Sequence, residues 1–156
     1  MTDFADAFKR GQDAAALAAQ ARAELEEVFA EAREQLLNAT DGKLELSMRG
    51  FPKPRKRSPA EVLLGGAIAW AAALEERETE PWIAARNPKA EDTEWVRLAK
   101  WDRPQEGYPC QISYDRTDVR CHDRTAFADA IGEMLANAWI GEKLRELLNL
   151  PLKQAQ

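Results

Sequence analysis

Residues 3–38 contain no proline and a single glycine, and they are built mostly of Ala, Leu, Glu, Gln and Arg. These are strong helix formers, and over so many positions their summed preference predicts one long helix. At about 1.5 Å per residue it would be about 54 Å long, whereas a compact chain of 156 residues has a radius of gyration of about 15 Å. A compact body cannot cover such a helix end to end. Either it breaks at Gly11, with Asp13 capping a second helix, or one end projects and pairs with a partner or a second copy. Counting from Phe4, the 4–3 spacing gives a seam of Ala7, Gly11, Ala14, Ala18, Ala21, Leu25, Val28 and Ala32, with Phe8, Phe29 and Leu36 beside it. A seam of small residues lets two helix backbones approach closely. If the body uses only part of that seam, an antiparallel homodimer through this helix is expected. The Asp41-Gly42 pair reads as the turn that ends it.

Beyond the turn, Leu44, Leu46 and Met48 alternate with Glu45, Ser47 and Arg49, the period of a half-buried strand. Pro52 and Pro54 then favour an extended loop. Ser58-Pro59-Ala60-Glu61 has the form of a capping box with proline at the first helical position. It predicts a central helix to about residue 78, apolar nearly all round and suited to the alanine seam of the first helix. Residues 79–94, with Pro81, Pro88 and many charges, read as a connection with one helical turn near Trp82. Residues 95–101, 109–114 and 119–122 read as strands, the last two joined by a hairpin turn in Asp115-Arg116-Thr117-Asp118. A turn on Asp115-Arg116 sets Cys110 directly across from Cys121, and a turn one residue later makes them diagonal. A helical pattern fills residues 125–149, with Gly132 and Gly141 as its weak points, and Pro151 ends it. The fold class predicted is α+β. A small antiparallel sheet of three to four strands is packed by long N-terminal, central and C-terminal helices in a single domain spanning residues 1–156.

The chemistry-bearing residues are few. Cys121, His122 and Asp123 are adjacent, but in a strand successive side chains point to opposite faces, so Cys121 and His122 cannot meet as nucleophile and base. Asp123 suits a helix cap. Cys110, Cys121 and His122 match no zinc spacing, the aspartates match no calcium loop, and Gly65-Gly66 lies inside an apolar run and is no phosphate loop. No catalytic residue, metal or cofactor is expected. Two cysteines cannot form the disulfide framework of small secreted domains, the opening residues lack the pattern of a signal peptide, and no apolar run approaches the ~18 residues of a membrane span. The expectation is a cytoplasmic protein that makes no use of a membrane.

Two features point to partners. The net charge of −5 is partitioned: residues 1–42 carry four basic and nine acidic side chains, residues 43–59 six and one, and residues 60–156 twelve and seventeen. The basic cluster Arg49, Phe51, Lys53, Arg55, Lys56 and Arg57 suits phosphate or an acidic partner, while the acidic remainder would repel a long duplex, so nucleic-acid binding would be weak and short. The second feature is tryptophan: Trp70, Trp82, Trp95, Trp101 and Trp139. Trp70 and Trp139 are expected in the core. In a regular strand Trp95, Arg97 and Trp101 share one face, and if helices cover only the other they form an exposed aromatic patch of the composition enriched at binding hot spots. The leading function is a non-enzymatic interaction module, a small adaptor, inhibitor or accessory protein, that binds another protein through this patch or the first helix. One alternative is a nucleic-acid-binding accessory protein using residues 49–57, and another is a small enzyme using carboxylates near His122.

Overall fold

The computed structural model describes residues 1–53 and 78–154. Helix α1 runs unbroken over Phe4–Ala39. Asp3 caps it by accepting from the Asp6 N–H at 3.1 Å, and Asp6 pairs with Arg10 one turn on at 3.0 Å. At the far end Thr40 donates its hydroxyl to Leu36 O and accepts from Leu44 N–H. Asp41 and Gly42 then take left-handed backbone angles that reverse the chain. Gly11 does not break the helix, because one glycine costs only about 1 kcal/mol in a run of such strong formers.

Five strands form one antiparallel meander in the order β1-β2-β3-β4-β5. They are β1 Glu45–Pro52, β2 Thr79–Arg86, β3 Val96–Asp102, β4 Cys110–Tyr114 and β5 Thr117–Cys121. The sheet thus has five strands and not three to four, and the residues read as a connection with a helical turn at Trp82 are its second strand. Pro81 is tolerated there because β2 meets β3 only from Trp82 onward, so the missing N–H falls beyond the last β2–β3 partner pair. The β4–β5 turn is two residues, Asp115 and Arg116, both at positive φ as a hairpin-type turn requires. Thr117 and Asp118 belong to β5, and Cys110 stands directly opposite Cys121.

Two helices follow, α2 Arg124–Ala136 and α3 Ala138–Leu148. The long C-terminal helix of the sequence reading is therefore divided, and at Asn137, not at either glycine. The Asn137 side chain accepts from Trp139 N–H and Ile140 N–H, while its own N–H donates to Met134 O. Asp123 caps α2 by accepting from Ala126 N–H at 2.8 Å. The predicted central helix, with its capping box and Trp70, lies outside the described residues.

The core is the face of the sheet on which α1 and α2 lie. Leu25, Val28 and Phe29 of α1 meet Leu46, Ile83, Ala99 and Ile112 of the sheet and Phe127, Ile131 and Met134 of α2. Fully burying side chains of this size stabilises by about 1.5–3 kcal/mol each, which is what holds α1 onto the sheet. Polar ties reinforce it: Arg33 Nε donates to Leu46 O at 2.9 Å, Arg124 pairs with Glu27 at 2.8 Å, and Tyr108 donates to Glu24 at 3.0 Å. Buried Asn87 donates to Leu147 O, fixing α3 to the end of β2. From Ala21 toward its N-terminus α1 leaves this body. Phe4 is 78% exposed, Phe8 69% and Leu17 67%.

Candidate interaction face of the sheet

Strand alternation directs one set of side chains away from α1 and α2. On β1 these are Glu45, Ser47, Arg49 and Phe51. Their partners on β2 are Arg86, Ala84, Trp82 and Glu80. On β3 the set continues with Lys100 opposite Trp82 and Arg97 opposite Ala84, and on β4 with Ser113 opposite Lys100. Arg49, Trp82, Lys100, Ser113 and Asp118 therefore form a row across all five strands.

Arginine and aromatic side chains interleave on this face. The guanidinium carbons of Arg49 and Arg86 lie 4.8 and 4.6 Å from the centre of the Trp95 ring. That of Arg97 lies 5.3 Å from Trp82 and 5.7 Å from Phe51. Cation–π contacts of this kind contribute about 0.5–1 kcal/mol each at exposed sites and occur about once per 70–80 residues, so four on one sheet face mark an unusual local composition. Arg49 and Arg97 are exposed, while Phe51, Trp82 and Trp95 are half-buried. Arg86 is drawn to one edge by Glu45 at 3.1 Å.

Glu80 organises the other side. It accepts from Trp82 Nε1 at 3.0 Å and pairs with Lys100 at 3.3 Å. The Trp82 bond, followed by Lys100 and Lys53, holds its carboxyl below the usual carboxylate range although burial opposes them. Lys53, Glu80, Lys100, Asp102, Ser113 and Asp118 border a shallow cleft of about 580 Å³ that His122 does not line. At the far corner Lys143 donates to Arg97 O and sits 3.7 Å over Trp139, and burial, then the charge of Arg97, lowers its pKa.

The expected Trp95, Arg97 and Trp101 patch is divided. Leu98 is an extra residue on β3, bulged between the Ile83–Ala99 and Ala84–Arg97 pairs, and one extra residue reverses the alternation between Trp95 and Trp101. Trp101 is 4% exposed in the core, its ring 5.0 Å from Phe127. Trp95 and Arg97 stay on the outer face. Trp139, expected in the core, is 40% exposed. Of the basic cluster, Arg49 and Phe51 belong to the outer face and Lys53 to the cleft at its end, while Arg55, Lys56 and Arg57 lie outside the described residues. Trp82 and Arg86 reach this face only through β2, a strand that the local pattern of residues 79–94 does not announce.

Cys121 is buried and His122 exposed, as alternation requires. The Cys110 thiol is pushed up to about 12 by burial and then by Cys121. Among the described residues no three His, Cys, Asp or Glu side chains are grouped to hold a metal ion, and no helix is long and apolar enough to cross a membrane. Comparison with models of protein families, with curated proteins and with solved structures finds no match to this chain.

Proposed function

We propose that this chain is a non-enzymatic interaction module that binds another protein through the outer sheet face. The partner would present carboxylates beside apolar groups. The observation that carries this reading is the placement of the Arg49 and Arg97 guanidiniums over the rings of Trp95, Trp82 and Phe51, while Arg86, also over Trp95, is already held by Glu45. A stacked guanidinium keeps its planar fork for bidentate contact with carboxylates while losing little further freedom on binding. The half-buried rings supply apolar area between the forks, and Arg with Trp is the combination enriched at hot spots. A cytoplasmic location belongs to this reading, since two cysteines make no secreted framework.

The nucleic-acid alternative draws on the same face, because bases stack on aromatic rings and the cations of residues 49–57 would contact phosphate. One set of measurements separates the readings. Affinity capture compares the wild-type chain with Arg49→Glu/Arg97→Glu, alongside anisotropy of a fluorescent single-stranded oligonucleotide. A protein retained by wild type and lost with the double variant is the expected result. Oligonucleotide binding whose log–log salt slope is about −4 would move the reading to nucleic acid. Equal retention by both proteins would remove the sheet face as the docking surface.

A further inference from the structure

We infer that the projecting arm of α1 pairs with the same arm of a second copy, antiparallel, with a two-fold axis at Gly11. This stands apart from the sheet-face reading and uses none of its residues. The apolar stripe that the body covers from Ala21 onward continues along the arm as Ala18, Ala15, Ala14, Gly11, Phe8, Ala7 and Phe4. At 100° per residue these seven positions lie on one side of the helix. Phe4 and Phe8 are among the most exposed large apolar side chains described. An arm of this length, about 25 Å, is near the limit at which even alanine-rich helices hold together in water.

The choice of a second copy rests on the stripe's own symmetry. Antiparallel pairing about Gly11 sets Phe4 over Ala18, Phe8 over Ala14, Ala7 over Ala15 and Gly11 over Gly11. Each large ring thus meets a small residue, and the stripe maps onto itself. A parallel pair would set ring on ring and leave the alanines facing gaps. Among the described residues nothing outside its own helix lies within 4 Å of where a Gly11 Cβ would be. Packing among the described residues therefore gives no reason for a glycine that weakens the helix, whereas two backbones crossing closely do. Charge agrees with the pairing. Ala5, Gln12, Ala16 and Ala19 flank the stripe on one side without charge, and Arg10 on the other is engaged by Asp6 at 3.0 Å.

Length agrees as well. The partner's Phe4 would reach Ala18, just short of Ala21, where the Gly107 loop of the body closes on the helix. Four phenylalanine rings at about 150–250 Å² each, plus the alanines, bring the buried area to about 1,000 Å², the lower end of what a specific interface needs. A dissociation constant in the micromolar range fits an interface of that size.

Sedimentation velocity of the whole chain from about 1 to 200 μM tests this, the expectation being a mass that rises to two chains over roughly the micromolar range. Phe8→Glu should give one chain throughout, and because Phe8 touches no core residue the fold should keep its unfolding midpoint. Gly11→Ala should weaken pairing about tenfold while raising helix content, since the added methyl favours the helix and obstructs the crossing. On oxidation Gly11→Cys should cross-link two chains, whereas Phe4→Cys should not, its two copies lying about 21 Å apart along the axis. A single-chain mass for wild type at the highest concentration would overturn the proposal. So would Gly11→Ala that associates more tightly, or Phe4→Cys that cross-links as readily as Gly11→Cys.

Discussion

The ring of Trp101 lies 5.0 Å from that of Phe127, tilted by 39°, and the pair joins the middle strand to α2. Phe127 is among the largest fully buried side chains of the core. Trp101→Ala would leave a cavity between sheet and helix and should cost about 3–5 kcal/mol, a large part of a domain's whole stability. Trp95→Ala removes a half-buried ring and two cation–π contacts and should cost about 1–2 kcal/mol. Urea midpoints of the two variants measure the contrast. Equal losses would show that Trp95 is as much a core residue as Trp101.

Gly107 is held at φ +91, and a Cβ there would stand 2.6 Å from Ala21 Cβ. Gly107→Ala therefore meets both left-handed backbone strain and a clash with α1. Together these should destabilise by about 2–4 kcal/mol. Adding Ala21→Gly removes the methyl it strikes, so the double variant should be more stable than the sum of the single losses. Thermal unfolding of the four proteins reads that coupling directly. Additive losses would mean the clash is relieved some other way.

What could be read from the sequence was what depends on local composition and period. α1 announces itself by alanine and glutamate, β1 by the alternation of Leu44, Leu46 and Met48, and the cap of α2 by Asp123. β2 was hidden because Ile83, Ala84 and Ala85 do not alternate and Pro81 argues against a central strand. It forms because neighbours on both sides supply its hydrogen bonds and burial. The candidate face was half legible. Arg49, Phe51, Trp95 and Arg97 stood out by type, but the Leu98 bulge that parts Trp95 from Trp101 is a tertiary adjustment with no sequence period of its own.

Cys110 and Cys121 face each other at the rim of the sheet, both buried. Burial, then the neighbouring Cys121, raises the Cys110 pKa to about 12, and burial also raises that of Cys121. Since the thiolate is the reactive form, a thiol raised this far is almost wholly un-ionised and unreactive near neutrality. Ellman's reagent should therefore react with the folded protein only as fast as β4 and β5 open, and at once in denaturant. Immediate release of both thiols from the native protein would contradict this placement.

Glu80 links the outer face to pH. Its carboxyl is held below its ordinary value by the Trp82 N–H first, and then by Lys100 and Lys53. A carboxylate whose pKa is depressed by folding contributes stability that is fully present above the unfolded value, near 4.5, and is lost as pH falls through the folded value. The contribution of Glu80 should therefore be flat from neutrality down to about pH 5, decline as the pH falls below 4.5, and be gone only below the depressed folded value. Glu80→Gln keeps an oxygen to accept from Trp82 but removes the charge that Lys100 and Lys53 feel. Wild type should accordingly be the more stable protein near neutrality, and the two urea midpoints should converge as the solution is acidified. Tryptophan emission should follow the same course, because Trp82 loses its charged acceptor in that window. Curves that stay parallel down to about pH 3 would mean that the charge of Glu80 stabilises nothing, and that its hydrogen bond to Trp82 suffices to order the face.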